Sequence, residues 1–475
     1  MVTRLGAPYI RTSSNGNKMN YKEEIKKWLY DHRDEMVDDI CSMVRVPSVL
    51  DEACGDYPFG ENCFRALEKA MEIASRCGLE TENFRNMVGQ ASLRKGHADF
   101  GIWAHSDVVP VDGVWTNPPF DPIVKDGRIY GRGTTDNKGQ LVASLYALRC
   151  LRELGIELKH NVAVFVGTKE ETGMEDIKAW LAENEEPFFN LAPDADYAIG
   201  YAEKCSLRFD MSAPLVQKGL LSLYGGSAPN VFPKEVTAVL KLSEIEERAL
   251  AGLDGIECTK DAETVTLTAR GKGGHSAKAP GVDNPFPRLI GALDAAGVFP
   301  EGFAPQLKCI AEACLDESGN ALDIACSDDV VGKLHFSGTM LSLEDGILNL
   351  VCDVRYPGSC SAETLIERIR NKTEALGFSL EIRESDGSVY SDPNEPGAVL
   401  CARLSNELAP EFGLKQYGNY ILNGGTYARH FTRGYAFGMN AGENAHNVDE
   451  SVSIDRLIFG ALVYALCIIE LDELY

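Results

Sequence analysis

Apolar positions recur at helical spacing over Tyr21–Arg45, where Ile25, Trp28, Leu29, Met36, Ile40 and Met43 share a face until Val46-Pro47 ends the run. A second amphipathic helix is predicted over Asn62–Cys77, with Gly78 as its C-terminal cap. Phe100–Ala104 is a short apolar strand. Asn137–Leu154 reads as a helix that follows a Gly/Thr/Asp turn and stops at Gly155. Asn161–Gly167 (NVAVFVG) is a β-branched run of the kind buried on both faces of a sheet. Met174–Glu183 is again helical, and Tyr197–Gly200 is a brief strand. Strand and helix alternate, so this half is α/β with a largely parallel sheet.

The pattern changes after Cys205. Thr264–Arg270 (TVTLTAR) and Gly346–Arg355 (GILNLVCDVR) alternate apolar and polar residues, and helices are expected at Val236–Leu253 and Ala362–Ala375. That is an antiparallel α+β texture, and it reads as an inserted second domain over residues 205–384. Ala398–Tyr475 returns to helix-rich character. Residues 19–204 and 385–475 therefore form the two segments of one α/β domain. The first eighteen residues carry no folded pattern and read as a disordered or vector-derived leader. The apolar run Leu457–Leu471 carries Glu470 and is too short to span a bilayer, so it is expected to be a packed C-terminal helix.

Composition narrows the function classes. The 475 residues are 44% hydrophobic and 25% charged, within globular norms, and 46 Lys and Arg face 71 Asp and Glu, for a net charge of −25. So acidic a chain lacks the clustered cations that nucleic-acid binding needs. Its 14 Cys are scattered, with no CxxC pair and no secretory signal pattern, which suits reduced thiols in the cytoplasm. No membrane partner is expected.

Acidic residues and histidines gather where the apolar strands end, the place where open α/β sheets build their sites. Phe100–Ala104 runs into His105-Ser106-Asp107, and residues two apart in extended chain face the same side. That geometry suits a metal-ligating imidazole steadied by a carboxylate. The turn Gly131-Arg132-Gly133-Thr134-Thr135-Asp136-Asn137 lacks both the Gly-Lys-Ser/Thr ending of a phosphate loop and the dinucleotide fingerprint, so a carboxylate presented to a metal fits it better. Strand Asn161–Gly167 delivers the adjacent Glu170 and Glu171, which repel each other unless a cation or shared proton relieves them. Asp194 and Asp196 precede another strand, and His446 lies in a polar loop before the last helix. Each motif alone is unspecific. Their order, with strand-end placement, suits a dinuclear site with one bridging Asp.

These residues also carry a resemblance. His105-Ser106-Asp107-Val108-Val109-Pro110, Trp115, Pro118-Pro119-Phe120, Gly131-Arg132-Gly133 through Lys138-Gly139, and Glu170-Glu171 resemble the dinuclear zinc family of aminoacylase, carboxypeptidase G and carnosinase. Ala192-Pro193-Asp194-Ala195-Asp196, Gly271-Lys272-Gly273-Gly274-His275-Ser276-Ala277, Val354-Arg355-Tyr356-Pro357 and Gly424-Gly425-Thr426-Tyr427-Ala428-Arg429 are similar to its bacterial dipeptidase branch.

The resemblance implies a phosphorylase/hydrolase-like α/β catalytic domain with an inserted α+β lid domain. It implies two divalent metal ions, zinc first, with manganese and cobalt compatible. Asp136 would bridge them, with His105 and Asp194 completing one shell and Glu171 and His446 the other. Glu170 would be the general base, with Asp107 orienting His105 and Asn137 joined to Asp136 by a cis peptide. His275 would donate to the oxyanion. Asn230, Arg355 and the Gly424-Gly425-Thr426 turn would grip the substrate's carboxylate. The implied activity is dipeptide hydrolysis, with N-acyl-amino-acid hydrolysis as the alternative and a silent binding protein disfavoured by the full residue set. The partner is a short peptide, and the length of the inserted segment points to a monomer.

Overall fold

The structure, a computed structural model, describes residues 11–12, 18–19, 21–245, 250, 253–276, 283–299, 304–387, 389–422, 424–438 and 444–475. Of the expected leader, Arg11–Thr12 pairs with Lys18–Met19 in a short antiparallel ladder, and the remainder lies outside the described residues. The chain separates into two compact units. The first comprises Met1–Tyr201, Tyr390–Tyr420 and Gly425–Tyr475, and the second Ala202–Val389 with Ile421–Gly424.

In the first unit, strands Phe100–His105 and Val162–Gly167 run parallel at the centre of the sheet, with His105 opposite Gly167. Phe189–Ala192 flanks Phe100–His105 in parallel, and Gly434–Ala436 follows it. Val88–Ser92 and Glu80–Phe84 extend the other side in antiparallel fashion. Successive side chains of the central strands feed two separate cores, as a strand's alternation demands. Ile102, Ala104, Val162, Val164 and Val166 face the larger core, built with helices Lys138–Glu153 and Ile454–Leu474. Trp103 and Phe165 face the smaller one, where their rings stack at 4.0 Å. Burial on both faces explains why these strands read as unbroken apolar runs.

Ile454–Leu474 is buried on nearly all sides, as its apolar run suggested. Among the described residues no helix is long and apolar enough to cross a membrane. The single helix expected over Tyr21–Arg45 is two, Tyr21–Asp31 and Arg33–Val44, because the backbone leaves helical geometry at His32, whose ring stacks on Trp28. The strand expected at Tyr197–Gly200 lies later, at Gly200–Glu203, where pairing with Gly434–Ala436 fixes it.

The second unit is built on an eight-stranded antiparallel sheet. Its strand order is Ile256–Lys260, Thr264–Arg270, Glu235–Lys241, Leu220–Gly225, His335–Glu344, Ile347–Tyr356, Cys205–Pro214, Ser379–Asp386. Helices Phe286–Ala295, Pro305–Leu315 and Ala362–Glu374 contribute Leu289, Leu293, Leu307, Ile310, Leu365 and Ile369 to the core of this unit. Over the described part of Val236–Leu253 the expected helix does not form. Glu235–Lys241 is a strand with Val236, Ala238 and Leu240 buried in alternation, paired residue for residue with Thr264–Arg270. Val236 and Leu240 satisfy both a period of two and an i,i+4 spacing, and cross-strand pairing decides between them.

Truncating the long C-terminal helix tests how much stability this packing supplies. Leu462→Ala, at a fully buried position, should cost about 3 kcal/mol, read as a shift in the denaturant midpoint with an unchanged slope.

Candidate metal centre

Parallel register brings the catalytic candidates together. Because His105 lies opposite Gly167, the segments that follow, Ser106-Asp107 and Thr168 to Glu171, leave the sheet side by side at the same edge. Ser106 N and Oγ both donate to Gly167 O, at 2.9 and 3.0 Å. Phe189–Ala192, on the other side of Phe100–His105, ends at the same edge and presents Asp194 two residues later.

Asp136 reaches this edge from the turn before helix Lys138–Glu153, and its peptide bond to Asn137 is cis. Its two oxygens divide between two imidazoles: Oδ1 lies 3.0 Å from His105 Nε2, and Oδ2 lies 2.9 Å from His446 Nε2. His105 Nε2 is also 3.8 Å from Asp194 Oδ2 and 4.0 Å from Glu170 Oε2. His446 Nε2 is 3.1 Å from Glu171 Oε2. Ligand atoms of His105, Asp136 and Glu171 lie within 4.8 Å of one another, as do those of His105, Glu170 and Asp194. Either trio could hold a metal ion.

The electrostatics fit a cation. Burial lifts the Glu170 carboxyl well above its ordinary range, with Asp194, Glu171 and Asp136 adding to the rise against His105. Burial likewise pushes Glu171 to about 7 and raises Asp194. Burial would raise Asp136 too, but hydrogen bonds from both imidazoles hold it well below the carboxylate norm. Oε1 of Glu170 is buried with no hydrogen-bond partner among the described residues. Crowded carboxylates and an unpartnered buried oxygen are the donor chemistry that a divalent ion satisfies.

Residues 101–470 match the model of peptidase family M20/M25/M40. The chain belongs to that family. It is thus a hydrolase of peptide bonds in a metal-dependent family. It is 30% identical over 482 residues to a Beta-Ala-Xaa dipeptidase of Lactobacillus delbrueckii subsp. lactis, covering 96% of this chain and 99% of that one. Its fold resembles human carnosine dipeptidase 1, with a TM-score of 0.61 at 14% identity over 95% of this chain and 99% of the other. The dipeptidase Dug1p of Saccharomyces cerevisiae gives a TM-score of 0.61 at 13% identity over 95% and 98%. These solved structures place the chain in the M20 architecture, a catalytic α/β domain with a lid domain.

In this M20 chain the ligand-bearing loops hang from buried carboxylates. Asp107 lies beside His105, with Oδ1 3.3 Å from Nδ1, and its two oxygens also accept the amides of Glu170 and Glu171, each at 3.1 Å. Glu450 does the same for the Asp136 turn. Its Oε1 accepts the amides of Gly133, Thr135 and Asp136 at 3.1, 2.9 and 3.1 Å, and Arg132 Nη1 donates to Oε2 at 2.7 Å. Gly133 has φ +85°, and a Cβ there would meet Val108 at 2.8 Å, so the turn requires glycine. Glu450 stands four residues after His446, so it ties the segment carrying one imidazole to the turn carrying Asp136. Glu450 was not singled out from sequence. It acts through backbone amides, which leave no side-chain motif.

The remaining candidates lie elsewhere. Val231 pairs with His275, and Ser276 N donates to Asn230 O at 2.9 Å, so Asn230 and His275 are neighbours in the second unit. Ser276 Oγ bonds Asp353, which also accepts from Arg355 Nη2 at 3.3 Å. Arg355 Nε is buried without a hydrogen-bond partner among the described residues. Gly424 belongs to the second unit, whereas Gly425 and Thr426 belong to the first. The Thr426 hydroxyl accepts from Ala428 N at 3.2 Å and opens the short helix Tyr427–His430.

Replacing Glu450 by Gln keeps its size but halves its acceptor capacity. Metal affinity should fall about 10–100-fold, read by titration with a chelating indicator, with the circular dichroism spectrum unchanged.

Proposed function

We propose that the chain is a metal-dependent dipeptidase that cleaves short peptides with a free C-terminal carboxylate. The observation that carries this reading is the division of Asp136 between His105 and His446, which suits a bridging carboxylate and hence two divalent ions. His105 and Asp194 would hold one ion, and Glu171 and His446 the other. Zinc is the first candidate for these imidazole and carboxylate donors, and manganese and cobalt suit them as well. Bound there, the ions supply Lewis acidity toward the scissile carbonyl and toward water.

The protein's own groups then divide the work. Glu171 is engaged with His446, whereas Glu170 keeps a buried oxygen without a partner among the described residues. Glu170 is therefore the general base: it takes the proton of the attacking water and returns it to the leaving amine. Asp107 keeps His105 oriented. We assign oxyanion donation to His275, and recognition of the terminal carboxylate to Arg355, Asn230 and the Gly424-Gly425-Thr426 turn. The scattered cysteines support a cytoplasmic location, and the long inserted segment supports a monomer.

Turnover of a dipeptide panel measured beside N-acetyl and N-succinyl amino acids tests the reading. Dipeptides should be cleaved, and a chelator should stop the reaction. Preference for the N-acyl compounds would assign a deacylase instead. Glu170→Gln should lose at least roughly a hundredfold in kcat while keeping its metal. Glu171→Gln should lose metal first, by elemental analysis. The reverse pattern would overturn the assignment of roles.

A further inference from the structure

After strand Val162–Gly167, four consecutive amides are each met by a buried carboxylate. Asp107 takes those of Glu170 and Glu171. Asp176 takes the other two: its Oδ2 accepts from Thr168 N at 2.7 Å and from Lys169 N at 2.9 Å. Asp176 is fully buried, and its Oδ1 accepts from Ile177 N at 2.8 Å. The hydroxyl of Tyr427, also buried, donates to the same Oδ2. The Tyr427 ring packs edge-on to Trp103 and to His105, with centroids 6.3 and 6.5 Å away. A Cβ on Gly167 would lie 1.8 Å from Tyr427 Oη and 2.6 Å from Asp176 Oδ2, so only glycine lets phenol and carboxylate close on the strand end.

We propose that Asp176 and Tyr427 are positioning residues for the general base: the phenol orients the carboxylate, the carboxylate fixes the Thr168 and Lys169 amides, and these set where Glu170 points. The inference rests on the reading of Glu170 as the base. Two carboxylates share the loop, but their surroundings differ. Asp107 also touches His105, so disturbing it disturbs a metal ligand. Asp176 bonds only Thr168, Lys169, Ile177 and Tyr427 in the contacts described, none of them a ligand. Burial raises its pKa to about 6 against the pull of the Tyr427 hydroxyl, so at neutral pH it is an anion with acceptors only.

The test uses the full chain loaded with zinc. Tyr427→Phe removes one hydroxyl and keeps the ring. It should lower kcat about tenfold with KM and metal content unchanged, since small misplacements of a reacting group cost up to a hundredfold. Asp176→Asn should cost more, toward a hundredfold. In both, hydrogen exchange of the peptide spanning residues 167–173 should quicken relative to strand Phe100–His105. Wild-type kcat with unchanged exchange, or loss of metal in step with activity, would overturn the proposal. If Asp176→Asn does not fold, Tyr427→Phe decides alone. Glu170→Gln in the same assay separates the two readings: full activity in that variant would refute the general base, while the exchange data would still judge the grip on the loop.

Discussion

Like charge is what this architecture has to manage. Asp136, Glu170, Glu171 and Asp194 crowd around two imidazoles at one sheet edge, in a chain already carrying a net charge of −25. Burial raises the pKa of Glu170, Glu171 and Asp194, and their proximity to other carboxylates adds to the rise. Asp136 moves the other way because it alone takes a hydrogen bond from both imidazoles. The group at the centre is therefore the one held most firmly ionised. Cations would relieve the rest, which ties folding of this edge to their binding.

A second set of carboxylates makes the crowding tolerable by fixing geometry. Asp107, Asp176 and Glu450 spend their oxygens on backbone amides of the ligand-bearing loops, and each has its own relief: His105, the Tyr427 hydroxyl and the Arg132 guanidinium. Loops are the least precise part of a fold, and amide grips of this kind turn them into extensions of the strands they follow. The parallel strands supply coarse placement through register, and the buried acceptors refine it.

That division explains what could be read from sequence. Strands Phe100–His105 and Val162–Gly167 and helix Lys138–Glu153 were legible because burial on both faces produces long apolar runs with sharp polar ends. The candidates His105, Asp136, Glu170, Glu171 and Asp194 stand at those ends, so periodicity and placement exposed them together. Glu235–Lys241 was misread because a seven-residue segment satisfies both periods, and only its partner Thr264–Arg270 settles the matter. Asp176 and Glu450 stayed hidden for a different reason. An acceptor for backbone amides needs no particular neighbour in sequence, and its partners lie up to 317 residues away.

The second unit has a buried charge pair of its own. Its sheet buries Asp353 and Arg355 together, with Ser276 and Arg208 around them. Asp353 pairs with Arg355, whose guanidinium Nε has no hydrogen-bond partner among the described residues, as Glu170 Oε1 in the first unit has none. Buried polar groups are normally satisfied, and an exception marks either strain or a ligand. Arg355 Nε and Glu170 Oε1 are two of several such atoms among the described residues, and they differ in character: a donor suited to an anion, and an acceptor suited to a proton or a cation.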